Sequence, residues 1–481
     1  MKLCIVGTGA AGWMACAYFK SHPAIEQITI VGSPHIPSIG VGESNTLQLN
    51  DFHNIAGINE NEFVAKSDAA IKYGVYYDNW SKNSFLHNFV SAKQFDKLGI
   101  STHGYYRSLV NKPVDHSIND YVATKLQSAV NQNHVYFDDT YNCRSWHFDA
   151  AKYIEFLSNF CLKDSKVSFV KDTVKDCTIT KGKIIDLVFD SDTKINADYY
   201  IFATGSSAFN EKILKQEYVD LSDTLLTDKA FVYPLKYTNQ LEQFHPYTVA
   251  KTLNYGWRWI TPTYSRIGTG YVFSSRYVDE EQAYDEFLND IGDKSITPTL
   301  VNFQPKYNKQ TFNDNYCTIG MANGFLEPLD APGLSLTINV LKELEKLLYQ
   351  QYNLEDQAIV NSLQTIANEN MIGRYKFWTS FILTQYKTCH RNDTKFWQDH
   401  KNIQYDYQKQ IIDNLDDFMA EKNNYIMFMH TIAAKDQSWK HETKSIPYKQ
   451  FEPDLETTHH LDYINAVRTS VSRSRWNYSL V

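Results

Sequence analysis

The segment KLCIVGTGAAGWMACAYF, residues 2–19, decides the fold. After one lysine it runs through four apolar residues, which read as a buried parallel strand. Gly7, Gly9 and Gly12 follow as GxGxxG and open a helix that runs to about Lys20. In this arrangement the first glycine permits a tight turn. The second lets the backbone approach a pyrophosphate, and the third lets helix and strand pack closely. Ala10 and Ala11 fill the x positions. The start of the helix turns unpaired N–H groups and a positive dipole end toward phosphates. ITIVG, residues 28–32, is the next strand and completes a βαβ unit. A dinucleotide-binding α/β domain is therefore expected at the N-terminus.

One element of that pattern is missing. The acid that usually holds the ribose should fall about 20 positions on. Gly32 stands there, followed by Ser33. The ribose contact is left to Ser33, to backbone, or to Glu43.

The bulk properties are those of a folded protein. The chain has 481 residues, enough for two or three domains. It is 43% hydrophobic and 14% aromatic, which excludes a disordered chain. Its 33 tyrosines and 27 phenylalanines, with abundant Asn and Lys, fit an AT-rich genome, such as a phage's or a marine bacterium's. The net charge of −8, without a basic block, excludes nucleic acid as a partner class. The apolar start resembles a signal peptide, but its glycine pattern argues for strand, turn and helix. No apolar run approaches the roughly 18 residues of a membrane span, so a cytoplasmic protein is expected. The seven cysteines are scattered and lack CxxC, which fits reduced thiols and no metal site.

Along the chain, residues 60–72 read as helix and YGVYYDNW, residues 73–80, as a strand. Residues 149–163 read as helix, 167–205 as several strands, and 230–275 as further strands. From Leu334 onward the pattern is helical. The fold class expected is α/β, with a Rossmann-type FAD-binding domain of the aromatic-hydroxylase kind. It carries an inserted, mainly antiparallel β substrate region and a helical C-terminal region. The expected division is 1–90, 145–210 and 310–345 for the flavin domain. Residues 91–144 and 211–309 form the β-rich region, and 346–481 the helical one.

Two later segments favour FAD over NAD. ADYYIFATG, residues 197–205, resembles the strand and turn, ending at Gly205, that closes over the dinucleotide in FAD-dependent hydroxylases. TIGMANGFLEPLDAPG, residues 318–333, resembles their late flavin motif. No second GxGxxG marks a nicotinamide domain.

Six segments in order then resemble the flavin-dependent halogenases of the tryptophan-halogenase family. They are GTGAAGWMA at the start, IGVGESNTLQL (39–49), AAIKYGVYYDNW (69–80), GWRWITP (256–262), FLEPLDAPGL (325–334) and LTQYKTCHRNDTKFW (383–397). The resemblance implies that reduced FAD, O2 and halide together give hypohalous acid. The oxidant then passes through the protein to a lysine beside the aromatic substrate. Lys72 matches that lysine. Its ammonium can polarise the acid, or the amine can form an N-halo species. Burial favours either role, since it disfavours the charged form of a lysine.

Asp330 stands where the family has its second catalytic acid, one methylene shorter. It would anchor the lysine–oxidant pair or take the proton lost by the ring; as a plain turn residue it would also be at home. Gly40, Val41, Gly42 and Glu43 match the flavin strap. Gly320, Met321, Leu329, Gly333 and Leu334 match the late flavin segment, with Met321 in place of a polar residue.

The family's halide site falls on Pro332 and Gly333. Proline has no N–H to offer an anion, which points to bromide or iodide rather than chloride. Trp257, Trp259 and Pro262 match W-x-W-x-I-P, with Thr261 in the isoleucine position. Period-two geometry puts both tryptophans on one side of a strand, as walls that keep a second substrate from the flavin. Trp80, Tyr105, Trp378 and Phe396 are aromatic residues that could line a pocket, though core packing suits each of them.

The resemblance implies a separate flavin reductase as partner, a small indole- or phenol-like substrate and a homo-oligomer. The alternatives are a single-component aromatic hydroxylase and a flavin-binding protein without catalysis.

Overall fold

A computed structural model describes residues 1–34, 44–72, 74–80, 85–88, 145–245, 247–353 and 357–413. The chain forms two compact units. The first comprises 1–69, 148–225 and 303–378; the second comprises 70–147, 226–302 and 379–481.

The first unit is built on a five-stranded parallel sheet. Lys2–Val6 lies between Gln27–Gly32 and Tyr199–Phe202, with Val167–Lys171 and Tyr316–Thr318 at the edges. Both faces of a parallel sheet must be covered, and Leu3, Cys4, Ile5, Tyr200, Ile201 and Phe202 are accordingly all buried. The helix Ala10–Phe19 follows the first strand and packs on the helix Ala150–Cys161. Trp13, just past the third glycine, is buried with its ring 6.3 Å from Phe169. It is a core residue. The strands Val174–Thr180, Lys183–Phe189 and Lys194–Ile195 form a small antiparallel sheet. Its Ile184, Leu187 and Phe189 join the core beneath Tyr200 and Phe202.

The second unit is built on a seven-stranded sheet. Its order is Thr299–Asn302, Lys229–Lys236, Arg266–Phe273, Gly256–Pro262, Thr248–Leu253, Gly74–Asp78, Phe85–Asn88. All pairs are antiparallel except that between Thr248–Leu253 and Gly74–Asp78. The helix Glu280–Ile291 covers one end, where Ala283 and Phe287 meet Phe231, Tyr271 and Phe273. An aromatic cluster of Trp80, Tyr386, Phe396 and Trp397 forms a second packed centre, all four fully buried.

Two expectations change. Residues 60–72 are not one helix. The helix Glu60–Lys66 ends at Ser67, Asp68 turns the chain with φ 55°, and Ala70–Lys72 is a strand. Pairing with Ser145–His147 overrides the local helical pattern. The units also divide differently from the sequence-based boundaries. Strand Gly74–Asp78 bonds to Thr248–Leu253 and so belongs to the second unit, and the C-terminal helices are shared out at residue 378. The helical region from Pro332 is present as Pro332–Asn353, Gln357–Lys387, Lys395–Asn402 and Asp406–Asp413.

Candidate active site

In the first unit, Gly7, Gly12 and Gly320, among the residues expected to hold the dinucleotide, are tightly fitted against neighbouring chain. Gly7 has φ 118°, and a Cβ there would run into the carbonyl of Ala203, the residue after the strand Tyr199–Phe202. Its N–H donates to Val31 O at 2.8 Å, and Ala203 N–H donates to Val6 O at 2.7 Å. Gly12 sits so close to Gly7 O that no side chain fits. Gly9 is different. It caps the helix in extended conformation, and nothing lies within 4 Å of where its Cβ would be. The loop is crowded on the protein side and open at the glycine that a pyrophosphate approaches. Ala10 and Ala11 begin the helix, half-buried. Gly320, with φ 60°, comes so near that an added Cβ would be 2.8 Å from that of Ala11. The late segment thus abuts the first loop. These bare backbones fit the phosphates of FAD.

The missing acid has a structural reason. A Cβ on Gly32 would lie 2.6 Å from the Thr8 side chain and 3.1 Å from the Phe169 ring. The hydroxyl of Ser33 is already 2.8 Å from that of Thr173. Gly40, Val41, Gly42 and Glu43 lie outside the described residues. Gly205 adopts φ 65° in the turn after Tyr199–Phe202, where the Asn210 side chain donates to its carbonyl at 2.9 Å.

The segment expected to carry the acid and halide sites has a strained backbone. Asp330 and Ala331 have φ 62° and 53°, two successive non-glycine residues in the left-handed region. Ala331 N–H donates to Pro328 O at 2.9 Å, closing a turn. Pro332 is then the first residue of the helix, a position that proline fits because its missing N–H has no helical partner there. Asp330, Leu329 and Pro332 are buried; Gly333 is exposed, and Met321 and Leu334 are half-buried. Glu327, three residues before Asp330, is fully buried, a carboxyl that the sequence reading passed over.

In the second unit, Lys72 is fully buried at the end of Ala70–Lys72. Opposite it in the antiparallel pair is Ser145, and opposite Ala70 is His147. His147 was not singled out from the sequence. It is fully buried, with Nδ1 2.9 Å from Pro262 O and Nε2 2.9 Å from Thr248 Oγ1. Burial first, and then the positive charge of Lys72, hold the imidazole well below its usual pKa, against the opposing effect of the Pro262 carbonyl. It is neutral. A carbonyl only accepts, so Nδ1 carries the hydrogen and Nε2 accepts from the threonine hydroxyl.

Trp257 and Trp259 share one face of Gly256–Pro262, their ring centroids 6.2 Å apart. Trp257 is buried and Trp259 half-buried. Trp259 lies opposite Gly270 and spreads over its bare backbone, where a side chain would collide with the indole. Arg258, between them, faces the other way. It donates to Thr269 Oγ1 at 2.9 Å and to Asp290 Oδ2 at 2.8 Å on the helix Glu280–Ile291. Trp80 and Phe396 are core residues, Trp80 donating to Ala250 O at 3.0 Å. Trp378 is buried against Phe377. Tyr105 lies outside the described residues.

The tryptophan halogenase family model matches residues 2–443. The chain is 26% identical over 426 residues to tryptophan 7-halogenase RebH of Lentzea aerocolonigenes, covering 84% of this chain and 79% of that one. It shares its fold with the tryptophan 6-halogenase SttH of Streptomyces toxytricini at TM-score 0.77 and 23% identity, over 99% of this chain and 97% of that one. A flavin-dependent halogenase from Xanthomonas campestris gives 0.76 at 22% identity, over 99% and 95%. Among the described residues no helix is long and apolar enough to cross a membrane. With a glycine-built dinucleotide loop in one unit, a buried lysine and paired tryptophans in the other, and a family model that matches residues 2–443, the chain belongs to the flavin-dependent tryptophan-halogenase family.

Proposed function

We propose that the protein halogenates an electron-rich, indole- or phenol-like ring, using FADH2 delivered by a separate reductase, with Lys72 presenting the hypohalous acid. The observation that carries this reading is the complete burial of Lys72 in a member of this family. An ammonium removed from water costs several kcal/mol unless its surroundings compensate, so a lysine kept there serves chemistry better than solubility. When bound, the reduced flavin supplies the two electrons that, with two from the halide, reduce O2. Hypohalous acid and ring then give halo-arene and water, the ring losing one proton. Asp330 is assigned the acceptor of that proton. Its carboxylate is buried and held by a turn, so it loses little freedom in reaching its geometry.

The protein's remaining residues orient and exclude. Trp257 and Trp259 wall one face of their strand, and the glycine loop leaves its open side to the phosphates. The halide preference follows from Pro332. The helix Pro332–Asn353 begins with a residue that has no N–H, so its first turn offers one donor fewer to an anion. Bromide and iodide shed water more cheaply than chloride and are easier to oxidise.

The test combines purified protein, an unrelated flavin reductase, O2 and equal concentrations of chloride, bromide or iodide with an indole and a phenol. Lys72→Ala is expected to lose at least about 100-fold in halo-arene yield. A Lys72→Ala protein that matches the parent would remove the lysine from the reaction. Faster chlorination than bromination would overturn the halide assignment. NAD(P)H oxidation without the reductase would indicate a single-component hydroxylase.

A further inference from the structure

Ala70–Lys72 and Ser145–His147 form a two-stranded sheet of three residues a side. So short a ribbon cannot fix its own position. In an antiparallel pair, directly opposed residues share a face, and so do residues two apart on one strand. Ala70 lies opposite His147, which puts the imidazole on the face that carries the Lys72 side chain.

That imidazole reaches two strands of the large sheet. Its Nδ1–H is bonded to the carbonyl of Pro262, the last residue of the tryptophan strand. Its Nε2 is bonded to the hydroxyl of Thr248, the first residue of the neighbouring strand. One ring therefore ties the lysine ribbon to the end of W-x-W-x-I-P. Pro262 is buried, and its carbonyl is the group held.

We infer that His147 is a positioning residue that sets Lys72 in register with the Trp257–Trp259 strand and so determines what fraction of the oxidant reaches the ring. The inference rests on the assignment of Lys72 above. His147 is assigned a holding role, since its Nδ1–H faces a carbonyl, which does not take up a proton, and the ring is fully buried. Its effect is geometric, and displacement of a reacting group by about 1 Å can cost up to about 100-fold in rate.

The two nitrogens allow a specific test. In His147→Asn the amide N–H can take the place of Nδ1–H and keep Pro262. In His147→Gln the amide falls at the Nε2 position and abandons Pro262. The full-length enzyme is assayed with bromide, an indole and monochlorodimedone as a trap for escaping hypobromous acid.

His147→Gln is expected to lower kcat for the indole by about tenfold or more, leave KM within about twofold, and raise the trapped share. His147→Asn should recover most of the loss. Thr248→Val, which keeps shape and removes the hydroxyl, should raise the trapped share by a few fold at most. Equal effects of Asn and Gln, or a trapped share that stays at the parent value, would overturn the inference. Should neither His147 variant fold, Thr248→Val decides on the same share. Lys72→Ala runs alongside. If it behaves as the parent, the lysine assignment fails, and this inference with it. If it is inactive while His147→Gln is normal, only the inference fails.

Discussion

In the first unit, Gly7 and Gly12 bring one stretch of backbone against another and Gly320 lies close to the Ala11 methyl, so the candidate site exists because side chains are absent. In the second unit the candidate residues are bulky: Trp257, Lys72 and His147 are buried, and Trp259 spreads into the space that Gly270 leaves open. A site built from absence is damaged by adding one carbon. A site built from volume is damaged by taking atoms away, or by filling the one gap left for them.

The largest expected effect tests the first half of that contrast. Gly12→Ala meets the Gly7 carbonyl, which is backbone and cannot step aside. We expect a loss of about 3 kcal/mol or more in stability and no measurable flavin binding. Gly9→Ala, with open space at its Cβ, should keep the melting temperature and lose only flavin affinity. If both variants melt alike, the loop is not organised as described.

Acid should act next, and more on the second unit. His53, His147 and His400 are buried and neutral. Burial lowers His53 to about 3 and His400 to about 4, and holds His147 well below its usual value. Each folded pKa is depressed, so the unfolded chain binds protons that the folded one refuses. Stability is full above about pH 6.5 and falls as pH drops below it, by up to about 1.4 kcal/mol per pH unit for each histidine. His53 is in the first unit, His147 and His400 in the second. Thermal unfolding followed from pH 7 to 5 should show a falling midpoint, with a shallower slope for His400→Phe. A flat profile would mean these rings are not neutral and buried.

A smaller effect tests the gap itself. Gly270→Ala pushes a methyl into the Trp259 ring and toward the Phe231 carbonyl, and should cost about 2 kcal/mol. A loss below about 0.5 kcal/mol would show that the indole can swing aside. The smallest concerns a non-glycine turn in the first unit. Ala331 holds φ 53° without being glycine, so Ala331→Gly should gain about 1 kcal/mol or less, read as a rise of a few degrees in Tm. A fall in Tm would mean the methyl is held by packing worth more than the strain.

The same contrast governs what could be read from the sequence. GxGxxG is legible because its three roles are set by backbone geometry within six residues, and the strand, turn and helix follow in order. The tryptophan pair was legible from period-two spacing. The His147–Pro262 bond joins residues 115 apart, and no local pattern announces it. The strand at Ala70–Lys72 was misread as helix for the same reason, since its partner lies at Ser145–His147. Gly32 could be seen to lack the acid. That Thr8 and Phe169 occupy the space could not be seen, because Phe169 comes from a strand on the far side of the sequence.

The crowding at Gly32 bears on residence time. A resident flavin profits from every anchor, whereas a flavin shuttled from a reductase must also leave once per turnover. A carboxylate clamped on the ribose hydroxyls would lengthen each stay. With Thr8 and Phe169 filling the space beside Gly32, that position carries no such clamp.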